Sequence, residues 1–586
     1  MPIKPFPELL SGQATYNSDT IAVVYGDKHL SWKELNEGVN RLSNALLDLG
    51  VKKGDKVSQM LPDSLEFVES TYAIQKIGAI PVPMNYRFVS REIEYQTNSS
   101  DSTVFITEEA YLGELNKARP NLKNIKEYIC LGETKGDMLN YEELIGKYPS
   151  SEPGIDVMED DIATISYTGG TTGLPKGVVL PYSNFWSLGT SLIAGLVLNA
   201  VKNPDAKLAP VIGKLLSSKG AESIGGLLDM KFTRSILTSS LTEQILKMSL
   251  RELILGNPKM AHLLHTILPN ILPLRFLLCM PLFHMANWQI LVLAPFTGLF
   301  SLILPTYGSR FSPANVLETV EREKVQTAAL VPTQWRKVVE FPEIDRYDRS
   351  SLIIPMTGAG INPAELKKKI FEKFPNSALM SDVFGQTEMT PDATIRIDTD
   401  PEKLKDRSVG KPIVETRLLN EEGEEIEKPG EIGELVYRGP TVMREYYRDE
   451  SKTREAFTKD GWFYSGDLAY FDEDGDYFIV DRLKECISTG AEKVYPHEIE
   501  EILESNPKVR YVCIIGIPDE MWGQAVRAVI ELNKGEEATE EEIIDWCRDK
   551  MTGFKRPKSV VFADSLPLNP VEKVMRSQVK EKYGKT

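Results

Sequence analysis

The sequence predicts an α/β protein, with a large amino-terminal α/β domain whose β-sheets are flanked by helices. Near the start, Ser31 and Glu34 open an amphipathic helical pattern that ends at Gly50, and short β-type runs follow it. Such alternation is typical of sheets covered by helices. A chain of 586 residues is also too long for one ordinary hydrophobic core, so at least two domains are expected.

From residue 484 onward the composition becomes that of a second, smaller unit, which predicts a small carboxy-terminal α+β domain. Its predicted elements are a helix over residues 496–503, a strand over 512–517 and a helix over 540–550. A basic tail follows the last of them. The predicted domains are therefore residues 1–483 and 484–586.

The composition indicates a globular protein of the cytoplasm. Hydrophobic residues make up 42% and charged residues 26% of the chain, and the net charge of −17 argues against nucleic acid as a partner. The five cysteines are scattered without a Cys-x-x-Cys pair, so neither a disulfide framework nor a zinc site is indicated. The first residues lack the apolar segment of a secretory signal.

One uncharged segment, residues 288–305, is about the minimum length that crosses a bilayer. Pro295, Thr297 and Gly298 interrupt it in the middle. The pattern therefore predicts a helix followed by a buried strand over residues 299–304, and not a membrane span.

A loop rich in glycine and threonine, residues 167–178, lies between two β-type runs. Glycines allow backbone N–H groups to approach an anion without Cβ interference, hydroxyls add donors, and Lys176 supplies a point charge. The loop is therefore predicted to bind phosphate. A P-loop NTPase is excluded, because Pro175 precedes the lysine and Gly177 follows it where that motif requires Gly-Lys-[Ser/Thr].

Residues 384–388, Phe-Gly-Gln-Thr-Glu, place a hydroxyl and a carboxylate after a glycine turn. Such oxygen ligands can hold Mg²⁺ on phosphate, because this ion takes one or two hard protein ligands and keeps several waters. The motif is therefore suited to holding Mg²⁺ beside phosphate.

Five separated motifs resemble, in the same order, those of the adenylate-forming superfamily of acyl-CoA synthetases, luciferases and peptide-synthetase adenylation domains. They are residues 167–178, 280–284, 384–388, 461–484 and 566–574. The resemblance covers about residues 20–580 and is greatest to AMP-forming fatty-acid–CoA ligases. The joint match is far more specific than any one motif.

The resemblance implies that the chain uses ATP, Mg²⁺ and coenzyme A. The residues implied for ATP are Thr168, Gly169, Gly170, Thr171, Thr172, Gly173, Lys176, Gly358, Phe384, Gly385, Thr387, Asp467, Arg482 and Lys573. Of these, Phe384 would stack on adenine and Asp467 would accept hydrogen bonds from both ribose hydroxyls. Glu388 would bind the metal ion.

The same resemblance implies four catalytic residues, which are Thr168, His284, Glu388 and Lys573. His284 would lie beside the acyl carboxylate and gate the acyl tunnel. Lys573 would meet the oxygens of the acid and of ATP while the acyl-adenylate forms.

The small domain is expected to be mobile, because Lys484 matches the position of a hinge in the superfamily. Gly490 and Ala491 would line the coenzyme A channel after rotation. The chain departs from the family pattern where Ala491 replaces a second glycine and Glu572 replaces the glycine before Lys573. Replacing Glu572 with glycine is expected to keep or raise the rate of adenylation, measured as pyrophosphate exchange.

Residues 190–272 separate two motifs that lie closer together in the family, so a helical insertion is predicted there. We interpret it as a packing or homodimerisation element; a membrane-surface helix, giving peripheral membrane contact, or a substrate lid is the alternative.

The predicted function is an ATP-dependent ligase that joins a small carboxylic acid to coenzyme A. The leucine and isoleucine content of the insertion and tunnel region favours a medium- or long-chain fatty acid. An aromatic or alicyclic acid is the close alternative. An alternative of another class is a catalytically weak nucleotide-binding scaffold, which the departures at Ala491 and Glu572 leave open.

Overall fold

The computed structural model describes residues 6–134, 136–168, 175–202, 256–269, 272–306, 311–360, 362–489, 492–519, 522–548, 550–551, 553–569 and 573–585. Several predicted site residues lie outside these ranges, namely Gly169, Gly170, Thr171, Thr172, Gly173, Gly490 and Ala491. Glu572 and most of the predicted insertion also lie outside them.

The strands within the described ranges are numbered in chain order. They are β1 Ile21–Tyr25, β2 Lys28–Ser31, β3 Lys56–Met60, β4 Ile80–Pro83, β5 Ser102–Glu108, β6 Glu127–Leu131, β7 Leu139–Asn140, β8 Ile162–Thr168, β9 Lys176–Pro181, β10 Leu274–Leu278, β11 Phe300–Leu304, β12 Thr327–Leu330, β13 Ile354–Gly358, β14 Met380–Gly385, β15 Asp392–Asp398, β16 Ser408–Pro412, β17 Glu415–Leu419, β18 Gly433–Arg438, β19 Glu445–Tyr446, β20 Phe463–Phe471, β21 Tyr477–Arg482, β22 Ile487–Thr489, β23 Glu492–Val494, β24 Val509–Asp519, β25 Gly523–Leu532 and β26 Ser559–Phe562.

The α-helices of the same ranges alternate with these strands. They are Phe6–Tyr16, Trp32–Asp48, Leu65–Lys76, Ser90–Ser99, Leu112–Ala118, Tyr141–Gly146, Tyr182–Lys202, Pro258–Ile267, Met285–Thr297, Pro313–Glu323, Pro332–Val339, Ala364–Lys373, Glu450–Glu455, Pro496–Glu504, Glu540–Trp546 and Arg576–Tyr583. Within these ranges, none of the helices combines the length and the apolar character that crossing a bilayer requires.

The described residues form two compact units. The first contains residues up to 168, 175–415 and 438–461, and the second contains residues 416–437 and 462–585. The predicted boundary after residue 483 thus falls inside the second unit. That boundary and the hinge at Lys484 stay predictions.

The first unit is built on two sheets with many parallel strands and one antiparallel sheet. Its largest sheet contains, in order, β16-β15-β14-β13-β12-β10-β11-β1-β2, and the run from β14 to β1 is parallel. A parallel sheet has the order β4-β3-β5-β6-β7, and an antiparallel sheet has the order β19-β9-β8. Helices between parallel strands and a buried aliphatic core confirm the predicted α/β class.

The second unit is smaller and mostly antiparallel. It contains the strands β17-β18-β20-β21 and a sheet of order β23-β22-β25-β24, with β26 parallel to β25. Helices Pro496–Glu504 and Glu540–Trp546 belong to it, and residues from both lie in the apolar core of the second sheet. This confirms the α+β prediction. The prediction of a helix to residue 550 was too long, because regular helix ends at Trp546.

The uncharged segment near residue 288 folds as predicted. Helix Met285–Thr297 ends at Gly298, whose φ of 64° lies in the left-handed region that glycine adopts readily, and strand β11 follows. The strand is paired on both sides, with β1 and β10. Its apolar residues therefore belong to the centre of the large sheet.

A buried ionic cluster fixes the two strands that flank the predicted metal-binding motif. The Lys367 ammonium lies 3.0 Å from Asp382 of β14 and 3.1 Å from Asp398 of β15, and Arg396 lies 2.6 Å from Asp398. All four residues are buried, and their charges balance. Buried carboxylates require such partners, so the cluster ties helix Ala364–Lys373 to both strands.

Candidate active site

Strands β8 and β9 form the antiparallel hairpin that carries the predicted phosphate loop. Thr168 lies opposite Lys176 in the strand register, so both ends of the loop are held together. The Tyr95 hydroxyl donates to the Pro175 carbonyl at 2.7 Å and supports the returning end. The sequence thus placed Thr168 and Lys176 correctly at the two ends of a strand–loop–strand unit.

Tyr446 links the lysine of the predicted phosphate loop to the predicted metal ligand. The Lys176 ammonium lies 4.3 Å from the centroid of the Tyr446 ring, and the Tyr446 hydroxyl donates to Glu388 Oε1 at 2.9 Å. Tyr446 is 5% exposed and Glu388 is 8% exposed. A cation over a ring that is itself bonded to a carboxylate forms one connected polar group.

The Tyr446 hydroxyl remains a donor over the whole physiological range of pH. Burial, followed by the nearby Glu388 charge, raises the pKa of Tyr446 well above its usual value. Within the described residues, Tyr446 is the hydrogen-bond partner of the Glu388 carboxylate, and it uses one of the two oxygens. Such a partner fixes the orientation of a metal-binding carboxylate and leaves the second oxygen for the ion.

The turn that presents Glu388 depends on a glycine. Strand β14 ends at Gly385, and a Cβ atom there would stand 1.9 Å from the Pro391 carbonyl oxygen. The single turn Thr387–Met389 follows, and Thr390 closes it in the left-handed region with φ 68°. The chain therefore reverses within a few residues and returns as β15.

Asn184 connects this turn to the segment before Tyr446. Its side-chain amide donates to the Val442 carbonyl at 2.8 Å and to Thr390 Oγ1 at 3.3 Å. Thr390 Oγ1 in turn donates to the Thr441 carbonyl at 2.6 Å. Asn184 is buried near the start of helix Tyr182–Lys202, three residues after β9. It thus helps to position both Glu388 and Tyr446.

The predicted adenine-side residues lie on adjacent strands. Gly358 ends β13 and pairs with Val383 of β14, and Phe384 and Gly385 follow directly. Ligands of open α/β sheets bind at the carboxyl ends of the strands, which is where these residues lie. Ala359 has a φ of 58°, an uncommon value for a residue with a side chain. The structure thus brings Gly358, Phe384 and Gly385 together.

His284 has a structural contact in addition to its predicted role. It is the N-cap of helix Met285–Thr297, and its Nδ1 accepts the Ala286 N–H at 3.4 Å. An accepting Nδ1 in a neutral ring places the proton on Nε2. The preceding turn is held by Asp63, which accepts the Leu282 N–H at 2.7 Å. The role of His284 beside an acyl carboxylate stays a prediction.

Asp467 and Arg482 form a cross-strand ion pair in the second unit. They are opposite each other on β20 and β21, and Arg482 Nε lies 2.8 Å from Asp467 Oδ1. Arg482 also donates to the Ser465 carbonyl at 3.2 Å. Asp467 is buried, whereas the Arg482 side chain is 43% exposed. The two residues, which the resemblance assigns to ATP binding, are therefore in direct contact.

Lys573 interacts electrostatically with the Asp467–Arg482 pair. Although the residue is exposed as a whole, desolvation of its ammonium and the positive charge of Arg482 lower the pKa of Lys573 to about 8, against the opposing effect of Asp467. Lys484 lies exposed in the turn Leu483–Glu485. The structure thus brings Asp467, Arg482 and Lys573 together within one unit.

Sequence reasoning missed Tyr446 and Asn184. Their partners lie far away in the chain: the bond from Asn184 to Val442 joins residues 258 positions apart, and that from Tyr446 to Glu388 joins residues 58 apart. Neither residue lies in a motif with a recognisable spacing. Only the pairing of β19 with β9 brings Tyr446 beside the phosphate-loop hairpin.

Family models match most of the chain. A model described as AMP-binding enzyme matches residues 10–207 and 256–447, and one described as AMP-binding enzyme C-terminal domain matches residues 498–573. The unmatched residues 208–255 lie inside the predicted insertion. Residues 190–202, by contrast, belong to the matched part and to helix Tyr182–Lys202.

Full-length relatives include ligases for different acids. The chain is 28% identical over 575 residues to a feruloyl-CoA synthase of Amycolatopsis, and the matched region covers 98% of each chain. It is 26% identical over 570 residues to the long-chain-fatty-acid–CoA ligase FadD13 of Mycobacterium tuberculosis, covering 96% of this chain and 94% of the relative. A solved structure of o-succinylbenzoate coenzyme A synthetase from Bacillus subtilis, in complex with ATP and magnesium, has a TM-score of 0.73 at 24% identity and covers 98% and 99% of the two chains.

Proposed function

This chain belongs to the AMP-binding enzyme family, and from that premise we propose that it is an AMP-forming ligase that joins a carboxylic acid to coenzyme A. ATP activates the acid as an acyl-adenylate with release of pyrophosphate, and the thiol of coenzyme A then displaces AMP. The observation that carries the proposal is the contact series Lys176–Tyr446–Glu388, in which a cation and an oriented carboxylate stand at the predicted phosphate loop.

The residues of the first unit fit Mg²⁺ bound to a polyphosphate. Glu388 is a hard oxygen ligand, buried and oriented by Tyr446, and Mg²⁺ takes one or two such ligands beside phosphate oxygens. Bound there, the ion would neutralise phosphate charge. Lys176 and the Thr168 hydroxyl would contact phosphate oxygens, as the motif implies.

The remaining assignments concern the nucleoside and the reacting carboxylate. Asp467 would accept hydrogen bonds from the ribose hydroxyls, with its orientation fixed by Arg482. Phe384 would provide a ring face for the adenine. Lys573 would stabilise the charge that develops when the carboxylate, itself an anion, attacks the phosphate. With a pKa of about 8 it is mostly a cation at neutral pH.

The test uses purified protein, ATP and MgCl₂ with a panel of fatty, aromatic and alicyclic acids. Acid-dependent exchange of labelled pyrophosphate into ATP reports acyl-adenylate formation, and AMP release that depends on coenzyme A reports the full reaction. We expect both with one class of acid. ATP binding without exchange for any acid would overturn the proposal and support a nucleotide-binding scaffold.

For the acid, we propose a medium- or long-chain fatty acid, and a polar-substituted aromatic or alicyclic acid as the second candidate. We propose that a buried polar pair near the Glu388 turn faces the acid, which favours the second candidate. Gln289 of helix Met285–Thr297 donates to Asp392 Oδ2 at 3.1 Å, and the two residues are 4% and 5% exposed. Asp392 pairs with Gly385 at the start of β15, four residues after Glu388.

The Gln289–Asp392 pair offers a hydrogen-bonding group, which an acid pocket lined only by apolar side chains would lack. Burial raises the pKa of Asp392 to about 7, which the bond from Gln289 only partly opposes. Within the described residues, its carboxyl group has no cationic partner. A carboxyl group in this state can accept a hydrogen bond from a hydroxyl or amino group of the acid, which an alkyl chain lacks.

We expect Asp392→Leu to change the ratio of kcat/KM for octanoate to kcat/KM for hydroxybenzoates by at least about 10-fold in favour of octanoate. The reason is that the polar partner is lost and apolar surface is added. Pyrophosphate exchange with both acids measures the ratio. Asp392→Asn, which keeps the shape and a polar group, serves as the control with a smaller change. An unchanged ratio in Asp392→Leu would contradict a role for Asp392 in selecting the acid.

A further inference from the structure

We propose that Arg576 and Glu485 are a positioning pair that holds the segment of Lys573 against the segment of Arg482, and that the pair supports acyl-adenylate formation but not transfer to the thiol. The inference rests on the proposed function. It concerns residues of the second unit that lie outside the ATP, metal and coenzyme A positions given above.

Arg576 binds two carboxylates at once. Its Nη2 lies 2.6 and 2.7 Å from the two oxygens of Glu500, and its Nη1 forms an ion pair with Glu485. The side chains of Arg576, Glu485 and Glu500 are 19%, 17% and 11% exposed. A guanidinium group presents fixed donors in a plane, so contacts with two carboxylates in a partly buried place specify its position closely.

Glu500 makes this anchor rigid. It lies in helix Pro496–Glu504, and its Oε1 also accepts the Ile514 N–H of β24 at 2.7 Å. The Arg576 side chain is therefore held by a helix that is itself bonded to strand β24. Without Arg576, Glu485 and Glu500 would both lose a cationic partner.

Two hydrogen bonds tie Lys573, three positions before Arg576, to Asn569. Asn569 Oδ1 accepts the Lys573 N–H at 2.8 Å, and the Asn569 N–H donates to the Lys573 carbonyl at 2.8 Å. The Met575 N–H donates to the Pro567 carbonyl at 2.8 Å. Lys573 and Arg576 are three positions apart in the sequence, so their Cα atoms are at most about 11 Å apart. A displacement of Arg576 is therefore transmitted to Lys573.

The segment that carries Arg482 has the same spacing between its two contact residues as the segment that carries Lys573. Glu485 stands three positions after Arg482, at the end of the turn Leu483–Glu485. One segment runs from Arg482 to Glu485 and the other from Lys573 to Arg576. The Glu485–Arg576 ion pair joins them at one end. At the other end, Lys573 interacts electrostatically with Arg482 and Asp467, which form an ion pair with each other. In this proposal the ion pair helps to hold the Lys573 segment near Arg482 and Asp467.

Only one of the two half-reactions uses that placement. In the proposed function Lys573 stabilises the charge that develops as the carboxylate attacks ATP, and it takes no part when the thiol attacks the acyl-adenylate. Misplacement of a reacting group by about 1 Å costs on the order of 100-fold in rate. A positioning role therefore predicts a loss confined to the first half-reaction.

The experiment compares the two half-reactions in Arg576→Gln, Arg576→Lys and Glu485→Gln. For Arg576→Gln we expect kcat for acid-dependent pyrophosphate exchange to fall about 10- to 100-fold. Transfer from chemically prepared acyl-adenylate to coenzyme A is expected to stay within about 3-fold of the wild type, because Lys573 is not used there. Arg576→Lys keeps the charge and is expected to recover part of the loss.

Arg510→Gln is the matched control, because it removes another arginine–glutamate pair of the same unit, in which Arg510 lies 2.6 Å from Glu531. It is expected to leave both half-reactions unchanged. The Glu485→Gln/Arg576→Gln double variant is expected to lose no more activity than Arg576→Gln alone, since both changes break one contact.

Equal losses in both half-reactions, or no loss in either, would overturn the positioning role. If Arg576→Gln fails to fold, Glu485→Gln and Arg576→Lys decide the question by the same comparison. Absence of exchange in the wild-type protein is a different result: it overturns the proposed function, and this inference with it.

Discussion

Replacing Lys573 with alanine is expected to lower kcat/KM for acyl-adenylate formation by about 100- to 1,000-fold, the usual cost of removing one group that stabilises developing charge. The reaction joins two anions, and in the proposed function Lys573 is the cation that meets them. The loss is measured as acid-dependent pyrophosphate exchange. Transfer from preformed acyl-adenylate to coenzyme A should remain close to the wild-type rate.

The pH dependence gives a second, independent measurement of the same role. Desolvation of the Lys573 ammonium and the positive charge of Arg482 lower the pKa of Lys573 to about 8, although the residue as a whole is exposed. The active form is the protonated one, so kcat/KM for ATP, which reports the free enzyme, should be highest below pH 8 and fall as the pH rises through 8. Lys573→Arg should lose this alkaline decline, because a guanidinium group does not deprotonate in this range.

Lys580→Ala is the control for the loss of charge, since Lys580 is an exposed lysine of helix Arg576–Tyr583. It should leave the rate and the pH profile unchanged. Retention of full exchange activity in Lys573→Ala would remove Lys573 from the mechanism. A pH profile of Lys573→Arg that matches the wild type would show that another group titrates.

The second large effect is expected for Glu388→Gln, which should lower the rate of adenylation about 100-fold and raise the Mg²⁺ concentration required for half-maximal rate by about 10- to 100-fold. An amide oxygen carries no charge and is a weaker ligand for a hard cation. The measurement is pyrophosphate exchange at fixed ATP over a series of Mg²⁺ concentrations.

Tyr446→Phe tests the orientation of the same carboxylate. It removes the hydroxyl that donates to Glu388 at 2.9 Å and keeps the ring under Lys176. We expect the Mg²⁺ requirement to rise by about 10-fold, less than for Glu388→Gln. Tyr447→Phe is the matched control, because the neighbouring hydroxyl instead bonds to Asp101 at 3.2 Å. A Mg²⁺ requirement unchanged in Glu388→Gln would contradict the assignment of the metal ligand.

The elements with strong local patterns were predictable. The capping box of Ser31 and Glu34 begins helix Trp32–Asp48, and the glycine-rich loop lies between two paired strands, as expected. These features depend on interactions between residues a few positions apart, which a sequence displays directly.

The contacts that complete the site were decided by the tertiary structure. Nothing in the spacing of Tyr446 or Asn184 indicates that they meet the Glu388 turn, and nothing in the tail indicates that Arg576 meets Glu485. The observed end of one helix differs from its predicted end for a similar reason. Regular helix ends at Trp546, four residues before the predicted end.

The sequence by itself determined the α/β class and the order of the elements, because these follow from local periodicity. Its motifs also gave the side chains that the family resemblance assigns to phosphate, metal and nucleoside, and those assignments stay predictions. The tertiary structure alone decided which distant residues orient those side chains. Strand pairing and helix packing bring together segments that lie tens to hundreds of residues apart, as with β9 and β19 around Lys176 and Tyr446. The partners of a buried polar group are fixed by that packing and not by its position in the chain.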